Sequence, residues 1–266
     1  GGYGLHVALA AAQANTHRKL RPLSADLSAL LATLAGTPLP WLVLTLLAYL
    51  GALALYRRSG AHPLLIPVLT AVVFIVVVLM ATGTPYATYR DGVSLLSLLI
   101  GPATVALAVP LYGQRARIRP MWRPLCIALL VGSAAAIASA LLIAWALGGT
   151  LETLMSLAPK SATMPIALPV AERMGGLSSL AAVAVAITGI AGTILAGPVL
   201  RLLRIHDPAV RGFAVGLTAH AIGTARELQV HPTAGAFAAL AMGLNGVVTA
   251  VLVPLLVWCM QWLGAS

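Results

Sequence analysis

Long uninterrupted apolar runs make up most of this chain, and short clusters of arginine, glycine and proline punctuate them. Five runs, at residues 39–56, 64–82, 122–147, 177–203 and 233–263, are near or above the length of about 18–20 residues that a helix needs to cross a bilayer. The runs are continuous rather than alternating, so they predict membrane-spanning helices and not the strands of a β-barrel. The first stops at Arg57-Arg58-Ser59-Gly60, the second at Gly83-Thr84-Pro85 and the third at Gly148-Gly149. Trp41, Trp122, Trp258 and Trp262 fall towards the ends of runs, where indole rings settle at headgroup level.

Three further segments, 92–112, 151–174 and 208–228, are apolar but interrupted. The expected breaks are Gly101-Pro102 in the first, Pro159 and Pro165 in the second, and Gly223 in the third. An interruption frees backbone groups that lipid cannot satisfy, so it is tolerated only against protein or a water-filled cavity. The first two segments also match at a constant offset: Leu95 with Leu154, Ser97 with Ser156, Leu98 with Leu157, Ala103-Thr104 with Ala162-Thr163, Ala108 with Ala167, and Pro110 with Pro169. Repeated interrupted helices point to a transport site near the bilayer midplane. The plainer alternative is a pair of kinked packing helices. Each break exposes a helix N-terminus, whose free N–H groups and dipole attract anions.

Composition agrees with the pattern. The chain is 60% hydrophobic and 8% charged, against about 25% charged in a soluble domain. The expected class is therefore all-α: a polytopic transmembrane helical bundle with internal repeats and interrupted, broken or re-entrant helices. The net charge of +10 does not call for nucleic acid, because the arginines gather in short loops between apolar runs. Arg115, Arg117, Arg119 and Arg123 form the strongest cluster, and Arg57, Arg58, Arg201, Arg204 and Arg211 make others; all are expected on the cytoplasmic side. With every arginine cluster on one side, segment 92–112 must cross and segment 151–174 must return to its own side. Residues 1–36 hold two apolar stretches, 5–14 and 23–34, each too short to span. They are expected to form an N-terminal extension of interfacial or re-entrant helices ahead of a membrane domain over 37–266. The stretch 5–14 has no basic region before it and is not expected to act as a cleavable leader.

Enzyme chemistry is not expected. The acids are Asp26, Asp91, Glu152, Glu172, Asp207 and Glu227; none forms a spaced pair suited to hydrolysis, and no Walker motif is present. Cys126 and Cys259 form no metal-binding or redox pattern, so neither a metal nor a cofactor is implied. Lys160 stands out instead. It lies in the otherwise uncharged stretch Leu154–Leu168, and the only other lysine is Lys19. An ammonium at membrane depth is costly unless it lines a polar cavity or meets an anion; the alternative is a side chain snorkelling to the interface. Pro159-Lys160-Ser161-Ala162-Thr163 supplies a cation, the hydroxyls of Ser161 and Thr163, and a helix break, a set suited to a small carboxylate. Thr104, in the matching break, would face the same cavity.

The third interrupted segment opens with Asp207-Pro208, a cap and first-turn pair. Gly212, Gly216, Ala219 and Gly223 give it a small face for close helix approach. His220 and Thr224 share another face. His220 would bind substrate or move a proton, or else sit packed and neutral. Arg226-Glu227 reads as a charge pair at a helix end, with a gate as the alternative, and Asn245, between Gly243 and Gly246, as the maker of an interhelical hydrogen bond.

Three motifs carry a family resemblance: Gly101-Pro102-Ala103-Thr104-Val105-Ala106-Leu107-Ala108-Val109-Pro110-Leu111-Tyr112, Pro159-Lys160-Ser161-Ala162-Thr163 with Pro165-Ile166-Ala167, and Ala219-His220-Ala221-Ile222-Gly223-Thr224-Ala225. From about Leu39 to the end, the chain resembles the LrgB/CidB membrane proteins. The resemblance implies two functions. One is modulation of murein hydrolase activity and autolysis together with a small LrgA/CidA holin-like membrane partner. The other is carriage of small carboxylates, as in members similar to the plastidial glycolate/glycerate translocator and bacterial members linked to pyruvate movement. The residues favour the second: a secondary-active carrier of small organic anions, with Thr104, Lys160, Ser161, Thr163, His220 and Thr224 binding the carboxylate. Its other expected partners are the lipid bilayer and, left open, a second copy of the chain.

Overall fold

The computed structural model describes Thr37 and residues 39–262; the expected extension over residues 1–36 lies outside them. The chain divides into two compact units, residues 1–101 and 102–266. Among the described residues all regular structure is helical. Five helical stretches are long and apolar enough to cross a membrane, so the protein is an all-α polytopic membrane bundle.

The first unit is built on α1 (Leu39–Arg58) and α2 (Pro67–Thr82), joined through a turn in which Gly60 and Ala61 take φ of 68° and 62°. The expected run over 64–82 is shortened. Ile66 is extended and Pro67 opens the helix, leaving 16 residues and a length of about 24 Å. Gly83, left-handed at φ 65°, closes α2. A short α3 (Tyr86–Gly92) packs on the start of α1. There Tyr89 meets Trp41 edge-on at 6.0 Å and its hydroxyl lies 3.0 Å from Thr45 Oγ1. Gly92 lies under the Trp41 side chain, where a Cβ would come within 2.8 Å of the indole.

Across the unit boundary, α4 (Ser94–Ala106) runs through Pro102 without a break. After the single residue Leu107 it is followed by α5 (Ala108–Gly113), and the two together span 20 residues. Gly101-Pro102 therefore marks no interruption. Proline removes one hydrogen bond and bends a helix, but opening the backbone in lipid would strand several groups. The first break expected from the sequence is thus replaced by a near-continuous helix with no buried residue.

The second unit continues with α6 (Arg115–Ile118), a 3-10 turn (Arg119–Met121), α7 (Trp122–Ala146), α8 (Leu151–Leu157), α9 (Met164–Arg173), α10 (Ser178–Leu202), α11 (Pro208–Val230) and α12 (Pro232–Trp262). Helices α8 and α9, at 7 and 10 residues, are about 10 and 15 Å long, and neither can span. They fold back on each other. Ala158 shares a cluster with Val170, and Leu154 and Met155 share one with Met174. Ser156 Oγ accepts from the Leu177 N–H at 2.7 Å while donating to the Glu152 carbonyl. Gly176 is close enough to Ser156 that a Cβ would stand 2.6 Å from its backbone nitrogen. Residues 151–173 therefore form a re-entrant hairpin that enters and leaves on the side where α7 ends and α10 begins.

Helix α11 is a second hairpin. It reverses at His220, where φ is 39° and ψ is −130°. Its arms, 208–219 and 221–230, run antiparallel: Arg211 pairs with Glu227, and a Cβ on Gly223 would meet the Ala219 Cβ at 2.7 Å and the Val215 carbonyl at 3.2 Å. The break is thus at His220, not at Gly223, which instead lets the arms close. Helix α12 then lies along the first arm, with Gly212 against the Ala234 carbonyl and Gly216 against that of Ala238. The small face read from sequence is used here for backbone-to-backbone approach.

This hairpin enters from the side of the arginine turn that precedes α7. Arg117 Nη2 lies 2.7 Å from Asp207 Oδ2, and Leu125 and Leu129 of α7 share a core with Ala209, Phe213, Leu217, Phe237 and Ala241. Asp207 caps α11 through the N–H groups of Ala209 and Val210. Partial desolvation pushes its carboxyl up, but those N–H groups and the Arg117 guanidinium outweigh it and hold the group below the usual carboxylate range. The two hairpins accordingly enter from opposite sides. The structural counterpart of segment 151–174 is segment 208–228, not the segment around Leu95–Pro110 that it matches in sequence.

Candidate functional site at the hairpin tips

The two tips meet on α10 and α12. Asn245 of α12, 1% exposed, donates from Nδ2 to the Ser161 carbonyl at 2.9 Å and to the Leu217 carbonyl at 3.2 Å. Its Oδ1 accepts from Ser133 Oγ of α7 at 2.7 Å and, at 3.5 Å, from Thr249 Oγ1. The full hydrogen-bonding capacity of one amide is used, and it ties one tip, the last turn of the other hairpin's first arm, and α7 to one point of α12. Sequence foretold an interhelical bond for Asn245. It carried no sign that the partners would be two interrupted backbones.

On α10, Val185 packs with Ala162 and Ala167 of the first hairpin, and its carbonyl lies 2.9 Å from His220 Nε2. A carbonyl can only accept, so this ring nitrogen carries the proton and, in the neutral imidazole, Nδ1 keeps an open lone pair. Gly189 makes room for the ring: a Cβ there would stand 2.5 Å from His220 Cε1 and 2.8 Å from Nε2. Gly189→Ala is therefore expected to cost about 1–3 kcal/mol of stability through overpacking. In thermal unfolding, His220→Ala added to it should restore most of the loss. No recovery would mean that the glycine serves something other than the imidazole.

Lys160 is half-buried in the turn between α8 and α9. Among the described residues its ammonium makes no hydrogen bond and no ion pair. Thr163 is the N-cap of α9, and its hydroxyl makes no capping bond. Pro165 sits in the first turn of that helix, where a missing N–H costs nothing. Pro159 and Ser161 are buried in the turn. Thr224, one turn beyond His220, is 2% exposed, and its Oγ1 is buried without a hydrogen-bond partner. The N-termini of α9 and of the second arm of α11 both begin at the tips, and the first N–H groups of a helix lack intrahelical partners. One unpaired cation, two helix N-termini and several hydroxyls thus surround the meeting point. Thr104 is exposed on α4, and the hydrogen bonds that join the tips run through Asn245 and Val185.

Glu227 lies outside this cluster. Its main partner is Arg211, bidentate at 2.7 and 2.9 Å, and its neighbour Arg226 stands 3.9 Å away with a bond to the Thr193 carbonyl. The charge pair read from sequence as Arg226-Glu227 is present, and Glu227 also clamps the two hairpin arms through Arg211. Among the described residues, no group of three or more His, Cys, Asp or Glu side chains could hold a metal.

Comparison with known proteins places the chain. Residues 45–259 match the LrgB-like family. Over 217 residues it is 38% identical to "Uncharacterized protein YxaC" of Bacillus subtilis (strain 168), covering 82% of this chain and 94% of the relative. It is 31% identical to "Antiholin-like protein LrgB" of Bacillus mycoides (strain KBAB4) and of Bacillus cereus (strain B4264), over 219 residues, 82% of this chain and 95% of each relative. No solved structure matches. The chain belongs to the LrgB-like family.

Proposed function

We propose that this LrgB-like protein is a secondary-active carrier of small organic anions of the glycolate, glycerate or pyruvate class in a bacterial inner membrane. The observation that carries the reading is a lysine ammonium, without a counter-ion among the described residues, in the turn of one of two hairpins inserted from opposite sides. In this reading Lys160 neutralises the carboxylate, and the N-termini of α9 and of the second arm of α11 add partial positive charge. Ser161 and Thr163 orient the anion, and Thr224 contributes from the second hairpin. His220, with Nε2 held by Val185, offers Nδ1 to a hydroxyl or a proton. In this reading the carboxylate does not reach Thr104, exposed on α4.

The names of the 31% identical relatives favour a second reading: an antiholin-like regulator of murein hydrolase activity and autolysis, acting with a small LrgA-like membrane partner. Uptake of labelled glycolate, glycerate and pyruvate into proteoliposomes separates the two. The carrier reading expects saturable uptake of at least one acid by the protein alone. Folded protein in silent liposomes would leave the regulator reading standing.

A further inference from the structure

We propose that the groove between α7 and the first arm of α11 is a binding site for an anionic phospholipid of the arginine-rich leaflet. One acyl chain would lie in the groove, with the headgroup on Arg119 and Arg123. The groove has a volume of about 330 Å³ and is lined by Met121, Leu125, Ala128 and Gly132 of the α7 side and by Phe213 and Leu217 of the arm, among other almost wholly apolar surface. Its α7 wall, from Met121 to Gly132, extends about 17 Å along the helix. That is roughly half of the hydrocarbon core of a bilayer, the depth of one leaflet. The groove is therefore oriented and dimensioned as an acyl chain is, running from the arginine turn towards the level of the tips.

Charge at its upper end selects the headgroup. Arg117 is committed to Asp207, and Arg115 stacks on Tyr112 at 4.2 Å while donating to its carbonyl. Arg119 and Arg123 flank the groove residues Met121 and Pro124; both are exposed, and neither has a carboxylate partner among the described residues. Arg123 lies over the Trp122 ring at 5.4 Å, an arrangement that keeps the guanidinium at the interface. Two exposed guanidinium groups without a carboxylate partner among the described residues, at the end of α7 where the groove begins, are complementary to a phosphate that carries net negative charge, and a zwitterionic lipid gains less there. The lower end of the groove is Leu217, whose carbonyl Asn245 holds. A bound chain would thus brace the arm that ends at His220. The lipid site itself does not rest on the carrier reading.

Native mass spectrometry of the full chain, with dioleoyl phosphatidylglycerol and phosphatidylcholine added in turn, tests this. Retention of phosphatidylglycerol should exceed that of phosphatidylcholine, with each arginine worth about fivefold, so that Arg119→Gln with Arg123→Gln removes about 25-fold of the preference. Both side chains are exposed, so the variant is expected to fold. Ala128→Leu, which fills the groove and leaves the arginines in place, should lose retention of both lipids. Equal retention of the two lipids by the unaltered chain, or undiminished phosphatidylglycerol retention in Ala128→Leu, overturns the proposal. So does a dimer mass that disappears in Ala128→Leu, since the groove would then hold a second copy.

Discussion

Lys160→Gln is expected to reduce carboxylate uptake to background, a loss of at least about a hundredfold, without lowering the stability of the protein. The loss follows from leaving an anion in a low-dielectric site with its only full counter-charge removed. Breaking a buried charge pair by deleting one partner costs about 3–5 kcal/mol, and about 2.7 kcal/mol is already a hundredfold. The neutral stability follows from the structure. The ammonium makes no hydrogen bond or ion pair among the described residues, so its removal deletes no protein contact and relieves an unpaired charge at membrane depth. Structural residues lose stability and activity together, whereas a group kept for its ligand separates them. Uptake should be measured beside the thermal unfolding midpoint in the same detergent. Full uptake in Lys160→Gln would remove the residue from the site. Lost uptake with a lowered midpoint would make it a packing residue.

What sequence could show and what it could not divide along a physical line. Helix length is written locally, so the crossings at α1, α7, α10 and α12 were legible to within a few residues from apolar run length alone. The singular lysine was legible for the same reason, because one charge in a long apolar stretch needs no partner to be noticed. Even the return of segment 151–174 to its own side follows from arginine placement. The reversal at His220 was not legible. Neither glycine nor proline marks it, and a positive φ at a histidine is held by what surrounds it, here Val185 and the gap at Gly189. Pro102 misled in the opposite sense, because a lipid-exposed helix keeps its ladder through a proline when breaking it would cost more. The sequence match between Leu95–Pro110 and Leu154–Pro169 pairs a near-continuous helix with a hairpin. Shared Leu, Ala and Pro positions therefore report membrane composition rather than shape. Glu227 found its partner 16 residues away only because α11 folds in half.

That last pairing carries the second large expectation. Glu227→Gln should destabilise the protein by about 3–5 kcal/mol, the usual cost of stranding one member of a buried ion pair. Glu227 is 0% exposed and Arg211 27% exposed, so the amide would leave a guanidinium mostly out of water with a weaker acceptor. Arg211→Gln should cost a similar amount, because it removes both short bonds to a carboxylate that no water reaches and leaves it Arg226 at 3.9 Å. Replacing both by Leu removes the desolvation cost together with the attraction and should recover most of the loss. The coupling energy from the cycle, read from unfolding in micelles, is the quantity that matters, because residues in direct contact fail to add. A coupling of several kcal/mol is what two antiparallel arms pinned across a reversal require. Additive single effects would mean that 208–219 and 221–230 do not lie side by side. Without that, His220 would not be held at a hairpin tip.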